Sequence, residues 1–514
     1  MSVISRIASV FRSTPKIRPV PISPSQKKPV RAGYDAAREG NETINIWTNA
    51  DALNADASNS LAVRHKLRNR DRYERANNGH KCGIHRTHAN YVIGIGPKLK
   101  MQTGNPGFNA KIEAEWKRWA AATQFGRKLR QLHRAKSGDG EAVALIINSQ
   151  KVRHSVKLNL QPIECDRLTS PTFQSDTESY VDGITYDADG NPVFYDILDI
   201  HPGAAVTAGA LAKFTRYPAK FVCHWFFQER PEQHRGVPEM TSTLNLFPTA
   251  RRFREATVAA AETAADYSLL IEMGTAQEGN DEVAPFTTLP VDKRMMTVTP
   301  AGAKAAQLRA EHPATTYDMF NRLILCEEAR PLNMPYNIAA CDSSGYSYSG
   351  GQLDHQTYYN SLDIEQQECE FDVVDRVFDA WFSEARNVFG WNFPENYVPK
   401  HEWAWPGRPH NDPVKTATAR KIALSTGTAT LGRIFAEDGE DFEDSIQEMA
   451  DEYGLEVDEM RERILNANLA GNQPYPDSES TRPDRAEEDD VDETEKAEAS
   501  YVERLIHGNA RFTI

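Results

Sequence analysis

The chain is poor in cysteine and has no long uninterrupted run of apolar residues. Its six cysteines are scattered over 514 residues and never form a Cys-x-x-Cys pair. Disulfide frameworks and paired-cysteine zinc sites depend on characteristic spacings, so the sequence predicts reduced thiols in a cytoplasmic setting. No apolar segment approaches the ~20 residues that a membrane-spanning helix requires. We therefore expect no membrane partner.

Sequence motifs of common enzymes are also absent. The chain has no Gly-x-x-x-x-Gly-Lys-Ser/Thr loop, and residues 94–96, Gly-Ile-Gly, lack the spacing of a dinucleotide-binding loop. Residues 345–350 do not satisfy the Gly-x-Ser-x-Gly pattern of a serine hydrolase. These absences predict a protein that is not an enzyme and has no cofactor. An organellar or cytosolic enzyme of unrecognised fold stays open as the alternative.

Four candidate metal ligands lie close together in the sequence: His80, Cys82, His85 and His88. Structural zinc sites usually join two separated pairs of ligands, and no second pair follows nearby. We interpret these residues as polar side chains on a helix surface and predict no metal site.

Charge is unevenly distributed along the chain. The formal net charge is -14, which argues against tight wrapping of nucleic acid but is compatible with DNA sliding past the protein. Residues 1–40 form a basic, proline-rich segment, either an organellar transit peptide or, as we favour, a flexible arm. Residues 476–498 are strongly acidic and poor in apolar residues, which predicts disorder in a tail spanning 476–514.

Hydrophobic periodicity predicts an α+β protein with several long helices. We expect helices at 58–92, 110–136, 251–270, 314–330, 354–388, 412–435 and 441–468, and a β-rich stretch at 139–226 that includes a hairpin around residues 186–191. The helix at 354–388 carries its apolar residues on one face: Val373, Val374, Val377, Phe378, Trp381 and Phe382. The helix at 251–270 is rich in alanine and therefore suited to close packing.

One predicted helix carries a stripe of arginines. Arg64, Arg68, Arg72 and Arg75 recur at helical spacing. Such a stripe could face phosphates, or it could be a solvated face that meets the acids of a neighbouring subunit. We favour the second interpretation because Asp71 and Glu74 interrupt the stripe.

Several segments resemble, in order, motifs of the lambda-type portal proteins of tailed bacteriophages. Residues 67–72 read Leu-Arg-Asn-Arg-Asp-Arg, 75–79 read Arg-Ala-Asn-Asn-Gly, and 90–96 read Asn-Tyr-Val-Ile-Gly-Ile-Gly. Together they are similar to the family's "R-S-R-D-L-x-R-N-N … N-x-V-G-x-G" block. Trp47, with Asp51 and Asn54, precedes them.

Further motifs follow the same order. Residues 163–168, Ile-Glu-Cys-Asp-Arg-Leu, are similar to the family's "E-x-D-R-L". Residues 224–226, His-Trp-Phe, and 230–238, Arg-Pro-Glu-Gln-His-Arg-Gly-Val-Pro, resemble its "H-x-F … R-P-x-Q-x-R-G-x-P" signature. Tyr348-Ser349 resembles "N-Y-S-[ST]-x-R", except that Gln352 stands where the family usually has arginine. The resemblance covers about residues 45–390.

The resemblance implies a phage portal fold assembled as a homo-oligomeric ring, typically a dodecamer, at one capsid vertex of the virion. It implies a wing at 41–246, stem helices at 247–270 and 311–332 around a clip at 271–310, a tunnel loop and long wing helix at 333–400, and a crown at 401–475. The implied partners are double-stranded DNA in the channel, the terminase large subunit, a head-tail adaptor, and the major capsid and scaffolding proteins. The subunits would assemble in the host cytoplasm. A structural or adaptor protein of the phage head is a further alternative.

The resemblance and the composition together suggest two functional surfaces. The first is an uncharged loop that we expect to line the DNA channel, although an ordinary surface loop is the alternative: Ser343, Ser344, Gly345, Tyr346, Ser347, Tyr348, Ser349, Gly350, Gly351 and Gln352. The second is an inter-subunit stem surface of small residues: Ala256, Ala260 and Ala264.

Overall fold

The computed structural model describes residues 47–48, 50–171, 176–177, 179–204, 213–265, 269–273, 303–307, 314–394, 397–408, 413–437 and 442–470. The predicted basic arm, most of the predicted clip and the acidic tail lie outside these residues. The fold is a mixture of helices and strands, as the periodicity predicts. No helix among the described residues is long and apolar enough to cross a membrane.

Fourteen α-helices are found in the described part of the chain. They are α1 Ala55–Ser58, α2 Leu61–Asn77, α3 Gly79–Val92, α4 Pro106–Thr123, α5 Phe125–Asp139, α6 Leu246–Ala265, α7 Ala314–Ala329, α8 Tyr336–Ala340, α9 Tyr348–Cys369, α10 Asp375–Phe389, α11 Pro413–Ser425, α12 Leu431–Glu437, α13 Phe442–Tyr453 and α14 Val457–Ala470.

Several predicted helices are divided where the backbone leaves the helical region. Asn78 is extended and caps α3, because its side-chain oxygen accepts hydrogen bonds from the amides of His80 and Lys81. Gln124, with a φ of 55°, separates α4 from α5. Gly427 and Gly454 have φ values of 71° and 64° and follow α11 and α13. The predicted helical stretches at 58–92, 110–136, 412–435 and 441–468 are therefore helical, but each is divided into separate helices.

Eleven strands form four small antiparallel sheets in the described residues. They are β1 Lys98–Met101, β2 Glu141–Asn148, β3 Leu158–Ile163, β4 Tyr180–Val181, β5 Ile184–Tyr186, β6 Pro192–Leu198, β7 Phe214–Pro218, β8 Val222–Phe226, β9 Leu269–Met273, β10 Ala303–Gln307 and β11 His401–Ala404. The strand orders are β1-β11, β9-β10, β3-β2-β8 and β4-β5-β6-β7. The predicted hairpin is confirmed, since Ile184 pairs with Tyr195 across β5 and β6.

Strand β2 connects two hydrophobic cores. Ala142, Ala144 and Ile146 face the larger core, which the helices cover. Val143 and Leu145 point the opposite way, into a smaller core with the β4–β7 sheet. Because successive side chains alternate between the faces of a strand, a strand with both faces covered is apolar throughout. Any charged residue at its end must therefore find partners inside the protein.

The long helix contributes the predicted apolar face to the larger core. All six predicted residues are buried, from Val373 to Phe382, and Trp381 packs on Trp116 with ring centroids 5.2 Å apart. The helix begins at Tyr348 rather than at residue 354, and a five-residue π-helical segment, Glu370–Val374, joins α9 to α10. The extra residue per turn brings Val373 and Val374 into the buried face that α10 continues.

Helices α6 and α7 pair through aromatic rings. Phe253 stacks on Tyr317 at 5.7 Å between ring centroids and meets Phe320 edge-on at 4.7 Å. The rest of this helix pair leaves large apolar side chains in solvent: Val258, Met319 and Leu323 are 57%, 59% and 62% exposed. The predicted helices at 251–270 and 314–330 are confirmed, with α6 displaced towards the N-terminus.

Glu328, near the end of α7, is a buried carboxyl between this helix pair and the α2–α3 hairpin. Burial raises its pKa from 4.5 to about 7, and the nearby positive charges of Arg254 and Lys81 only partly oppose that shift. Its Oε1 atom is buried without a hydrogen-bond partner. The folded protein thus holds a proton that the unfolded chain releases.

We predict that the contribution of Glu328 to the free energy of unfolding falls as pH rises from about 4.5 to about 7. In that window the unfolded carboxyl is ionised while the folded one keeps its proton. Glu328→Gln removes this titration and should stabilise the protein at pH 8 by roughly 1–3 kcal/mol, with little effect near pH 4.5. Urea unfolding at several pH values measures the difference, and exposed Glu327→Gln is the control. Parallel pH profiles for wild type and Glu328→Gln would contradict the prediction.

Candidate functional site

A buried ion-pair network lies where α2, the start of β2 and the segment before α6 meet. We define it by five arginines and four carboxylates: Arg64, Arg68, Arg72, Arg75, Arg235, Asp139, Glu141, Asp166 and Asp182. Every one of the five arginines contacts at least one of the four carboxylates. The predicted arginine stripe therefore finds its counter-charges inside its own chain.

Glu141, the first residue of β2, is the centre of the network. Its carboxylate is fully buried and contacts both Arg68 and Arg235, with Arg235 Nε 2.9 Å from Oε2. His224 Nε2, on the adjacent strand β8, lies 3.0 Å from the same oxygen. Burial raises the pKa of Glu141, but the charges of Arg235 and Arg68 outweigh burial and hold this pKa well below its usual range. The carboxylate is therefore a permanent charge.

Asp182 links the β4–β7 sheet to the same arginines. Its carboxylate contacts Arg64 and accepts a 2.6 Å hydrogen bond from Arg235 Nη1. Arg235 also donates to the carbonyl oxygens of Asp182 and Leu168, so its guanidinium is surrounded by acceptors. A buried guanidinium needs such a complete set, because each unpaired donor would cost free energy.

Asp139 and Asp166 form the second half of the network. Arg72 binds Asp139 through two hydrogen bonds of 3.0 and 2.9 Å and also donates to Asp166 at 2.6 Å. Arg75 Nη2 donates to Asp139 at 2.6 Å. Burial by itself would raise the pKa of Asp166. The hydrogen bond from Arg72 and the charge of Arg72 lower this pKa by more than burial raises it, so the pKa lies below its usual value.

Two glycines allow the backbone to approach this network. A Cβ atom at Gly236 would lie 1.9 Å from the carbonyl oxygen of Gly140, and one at Gly140 would lie 2.4 Å from the backbone of Val237. Gly140 also has a φ of 92°, a conformation that L side chains rarely adopt. The glycine of the Arg-Gly-Val-Pro motif is thus required by close backbone contact beside Glu141.

The network corrects both interpretations of the arginine stripe. Arg64 and Arg68 are 3% and 1% exposed, so they neither face phosphates nor form a solvated surface. Segments that resemble the portal motifs instead converge here, since the network includes residues from 67–79, 163–168 and 230–238. One feature of the sequence could have predicted the network, namely Glu141 at the start of an apolar strand. A buried carboxylate requires a cation beside it.

The predicted channel loop is shorter than expected. Cys341 ends α8, and Ser347 caps α9 by accepting a hydrogen bond from the amide of Gly350. Residues 348–352 are therefore helical, and the prediction of a loop there is wrong because the serine cap fixes the helix start. Ser343, Ser344 and Gly345 are exposed in the remaining loop. Tyr346 is half-buried beside the guanidinium of Arg322, 5.6 Å from its ring centroid.

The predicted stem residues lie on α6. Ala256 is exposed and Ala260 is half-buried, while for Ala264 only the helical backbone is described. Neither alanine with a described side chain belongs to a hydrophobic core of the chain. Their surface is therefore available to a neighbour.

The interpretation of His80, Cys82, His85 and His88 as surface side chains is wrong for two of them, since His85 and His88 are 3% and 1% exposed. His85 Nδ1 bonds to the hydroxyl of Ser137 at 2.7 Å, and Cys82 contacts Arg86. Only His88 joins a group with the chemistry of a metal site: its Nε2 lies 3.3 Å from Glu365, whose other oxygen is 2.8 Å from His133. Sequence analysis missed this group because its members come from three distant helices.

Comparisons with known proteins agree with the resemblance. The family model described as "Phage portal protein, lambda family" matches residues 45–366. The chain is 22% identical over 489 residues to the probable portal protein of Halomonas phage phiHAP-1, covering 88% of this chain and 92% of the relative.

Solved structures with a similar chain come from particle necks and portals. A chain of the neck of an empty gene transfer agent particle, computed with C6 symmetry, is 12% identical, with a TM-score of 0.45 and coverage of 77% of this chain and 98% of that one. A HK97 family phage portal protein from Corynebacterium diphtheriae is also 12% identical, with a TM-score of 0.27 and coverage of 58% and 84%.

We predict that Glu141→Gln destabilises the fold by about 3–5 kcal/mol, because it removes the buried carboxylate that pairs with both Arg68 and Arg235 and leaves the five arginines of the network with three carboxylates. Urea unfolding measures the loss. Asp363→Asn is the matched control, since Asp363 pairs with Arg408 while its side chain is 62% exposed, and it should cost less than about 1 kcal/mol. Equal losses in the two variants would show that the buried network does not carry the stability assigned to it.

Proposed function

This chain belongs to the lambda family of phage portal proteins, structural proteins of the capsid vertex, and we propose that it assembles into a closed dodecameric ring whose channel carries double-stranded DNA. The family model covers more than half of the chain, at residues 45–366. In this proposal the ring passes the genome during packaging and ejection and joins head to tail.

The observation that supports ring assembly most directly is the uncovered apolar surface of the α6–α7 pair. Met319 and Leu323 lie one helical turn apart on α7 and are 59% and 62% exposed, and Val258 on α6 is 57% exposed. Contiguous apolar surface of this kind marks an interaction site. A second copy of the same helix pair supplies a matching surface, and head-to-tail contacts between copies generate a ring when the rotation closes.

The helix pair corresponds to the proposed stem, and Ala256, Ala260 and Ala264 are the proposed small-residue contacts on it. Strands β9 and β10 are antiparallel partners at either end of the segment between the two helices. We assign that segment to the clip, where the terminase large subunit would dock during packaging. The wing would contact the major capsid and scaffolding proteins, and a head-tail adaptor would bind after packaging.

The loop between α8 and α9 is the proposed channel constriction. Its exposed residues Ser343, Ser344 and Gly345 carry no charge. Low charge suits sliding, because each lysine or arginine would add a salt-dependent attraction to phosphate. Arg322 lies beside the loop, but its guanidinium is engaged with the rings of Tyr336 and Tyr346.

We predict that the purified protein forms one closed ring of high order, which native mass spectrometry and end-on electron micrographs would reveal. Leu323→Gln should lower the fraction of rings, because it removes apolar area that the neighbour would cover. Ala260→Leu should also hinder assembly, since added volume in a close-packed contact costs about 1–3 kcal/mol per site.

The control is Lys151→Gln, an exposed residue in the turn between β2 and β3. Circular dichroism should show that all three variants are folded. Substitutions at exposed Leu323 and Lys151 change stability by less than about 0.5 kcal/mol, and half-buried Ala260 belongs to none of the hydrophobic cores of the described residues. A wild-type protein that stays monomeric would overturn the ring. Normal rings from both stem variants would instead show that assembly uses another surface.

For the loop, we predict that Ser343→Arg and Ser344→Arg change DNA retention in filled capsids while leaving ring formation intact. A new guanidinium in the constriction would hold the phosphate backbone and should make DNA release more salt-dependent. Release of DNA at increasing salt measures the effect. Gln150→Arg, at an exposed site in the β2–β3 turn, is the control. Release curves identical to wild type in both loop variants would exclude contact with DNA.

A further inference from the structure

A buried polar cluster joins α3, α5 and α9 outside the ion-pair network. His88, His133 and Glu365 each offer one ligand atom, and these atoms all lie within 4.8 Å of one another. His88 and His133 are 1% and 0% exposed. The three residues come from three helices that pack against each other, so their backbones are held in place without help from a ligand.

The ligand atoms lie close enough together for one metal ion to contact all three. His88 Nε2 lies 3.3 Å from Glu365 Oε1, and His133 Nε2 lies 2.8 Å from Glu365 Oε2. Ligand atoms about 2.0–2.1 Å from a tetrahedral zinc ion are about 3.3 Å apart, so His133 would have to move away from Glu365 by about 0.5 Å. The hydroxyl of Tyr358 lies 3.0 Å from His88 Nδ1 and orients the ring, as outer partners of metal-bound histidines do.

The surroundings of the cluster carry more negative than positive charge. Lys136 Nζ is the cation there, 2.5 Å from Glu239, 3.2 Å from Glu365 and 4.0 Å from Glu368. One ammonium group therefore serves three carboxylates. Glu368 Oε2 and His133 Nδ1 are both buried without a hydrogen-bond partner. The three carboxylates exceed the one ammonium by two formal negative charges, which a divalent cation would balance.

We propose that His88, His133 and Glu365 bind one divalent transition-metal ion of the zinc type. Two imidazole nitrogens and one carboxylate oxygen form a ligand set that zinc accepts, and a water molecule would complete the tetrahedron. Lys136 keeps its closer contact with Glu239, so it does not have to leave when the ion binds. The ion would tie the long helix α9 to α3 and α5.

The competing explanation is a metal-free hydrogen-bond cluster. In that case both imidazoles donate Nε2–H to Glu365, and Lys136 completes the acceptor set of the carboxylate. The two explanations differ in one measurable respect, because only the first predicts stoichiometric binding of an added ion by the folded protein.

The test is calorimetric titration of the untagged, chelator-treated protein with Zn²⁺. We expect one ion per chain and a rise in melting temperature on loading. His133→Asn should weaken binding at least about tenfold, since even outer-shell changes cost that much. His201→Asn is the matched control, because it disrupts the other described group of metal-type residues, Glu164, Asp166 and His201, and should leave binding unchanged.

X-ray absorption of the zinc-loaded wild-type protein makes the test independent of how the variants fold. Two imidazoles and one carboxylate around the ion are expected. Absence of stoichiometric binding, a coordination shell without two imidazoles, or binding that survives His133→Asn and disappears in His201→Asn would each overturn the proposal.

Discussion

The pairing of Glu141 with Arg68 and Arg235 is the constraint around which helix α2, strand β2 and the segment before α6 are organised. The carboxylate is at the start of β2, a strand whose two faces belong to two different cores. A charge at that position cannot reach water, so helix α2 and the segment before α6 must both supply a guanidinium. Removing both guanidinium groups would leave the buried carboxylate without a compensating charge, which is far costlier than losing a surface pair.

This constraint gives a physical meaning to the portal motifs in the sequence. Three of the arginines in 67–79, one acid of 163–168 and one arginine and the glycine of 230–238 contact one network or its backbone: Arg68, Arg72, Arg75, Asp166, Arg235 and Gly236. They act in the fold of one subunit rather than on DNA. In the proposed ring, the contacts between subunits would use surfaces of another kind, such as the exposed apolar residues of the α6–α7 pair.

The long helix shows which structural features follow from the local sequence and which depend on tertiary packing. Its buried face, from Val373 to Phe382, could be predicted because helical periodicity is a local property of the sequence. Its start at Tyr348 was missed, because Gly350 and Gly351 favour a loop while the cap from Ser347 favours a helix. The π-helical segment likewise depends on how α10 packs against the core, which periodicity alone does not contain.

The sequence by itself determined the family, the α+β class, the β5–β6 hairpin and the apolar face of the long helix. Each of these depends on residues close together in the chain or on motifs in a fixed order. Only the tertiary structure decided which charges are paired, since Glu141 is 73 residues from Arg68 and 94 from Arg235. It also decided that His88 contacts His133 and Glu365, although Glu365 is 277 residues from His88 in the sequence. Electrostatic contacts depend on the distance between two charges in space, and the number of residues between them along the chain does not determine that distance.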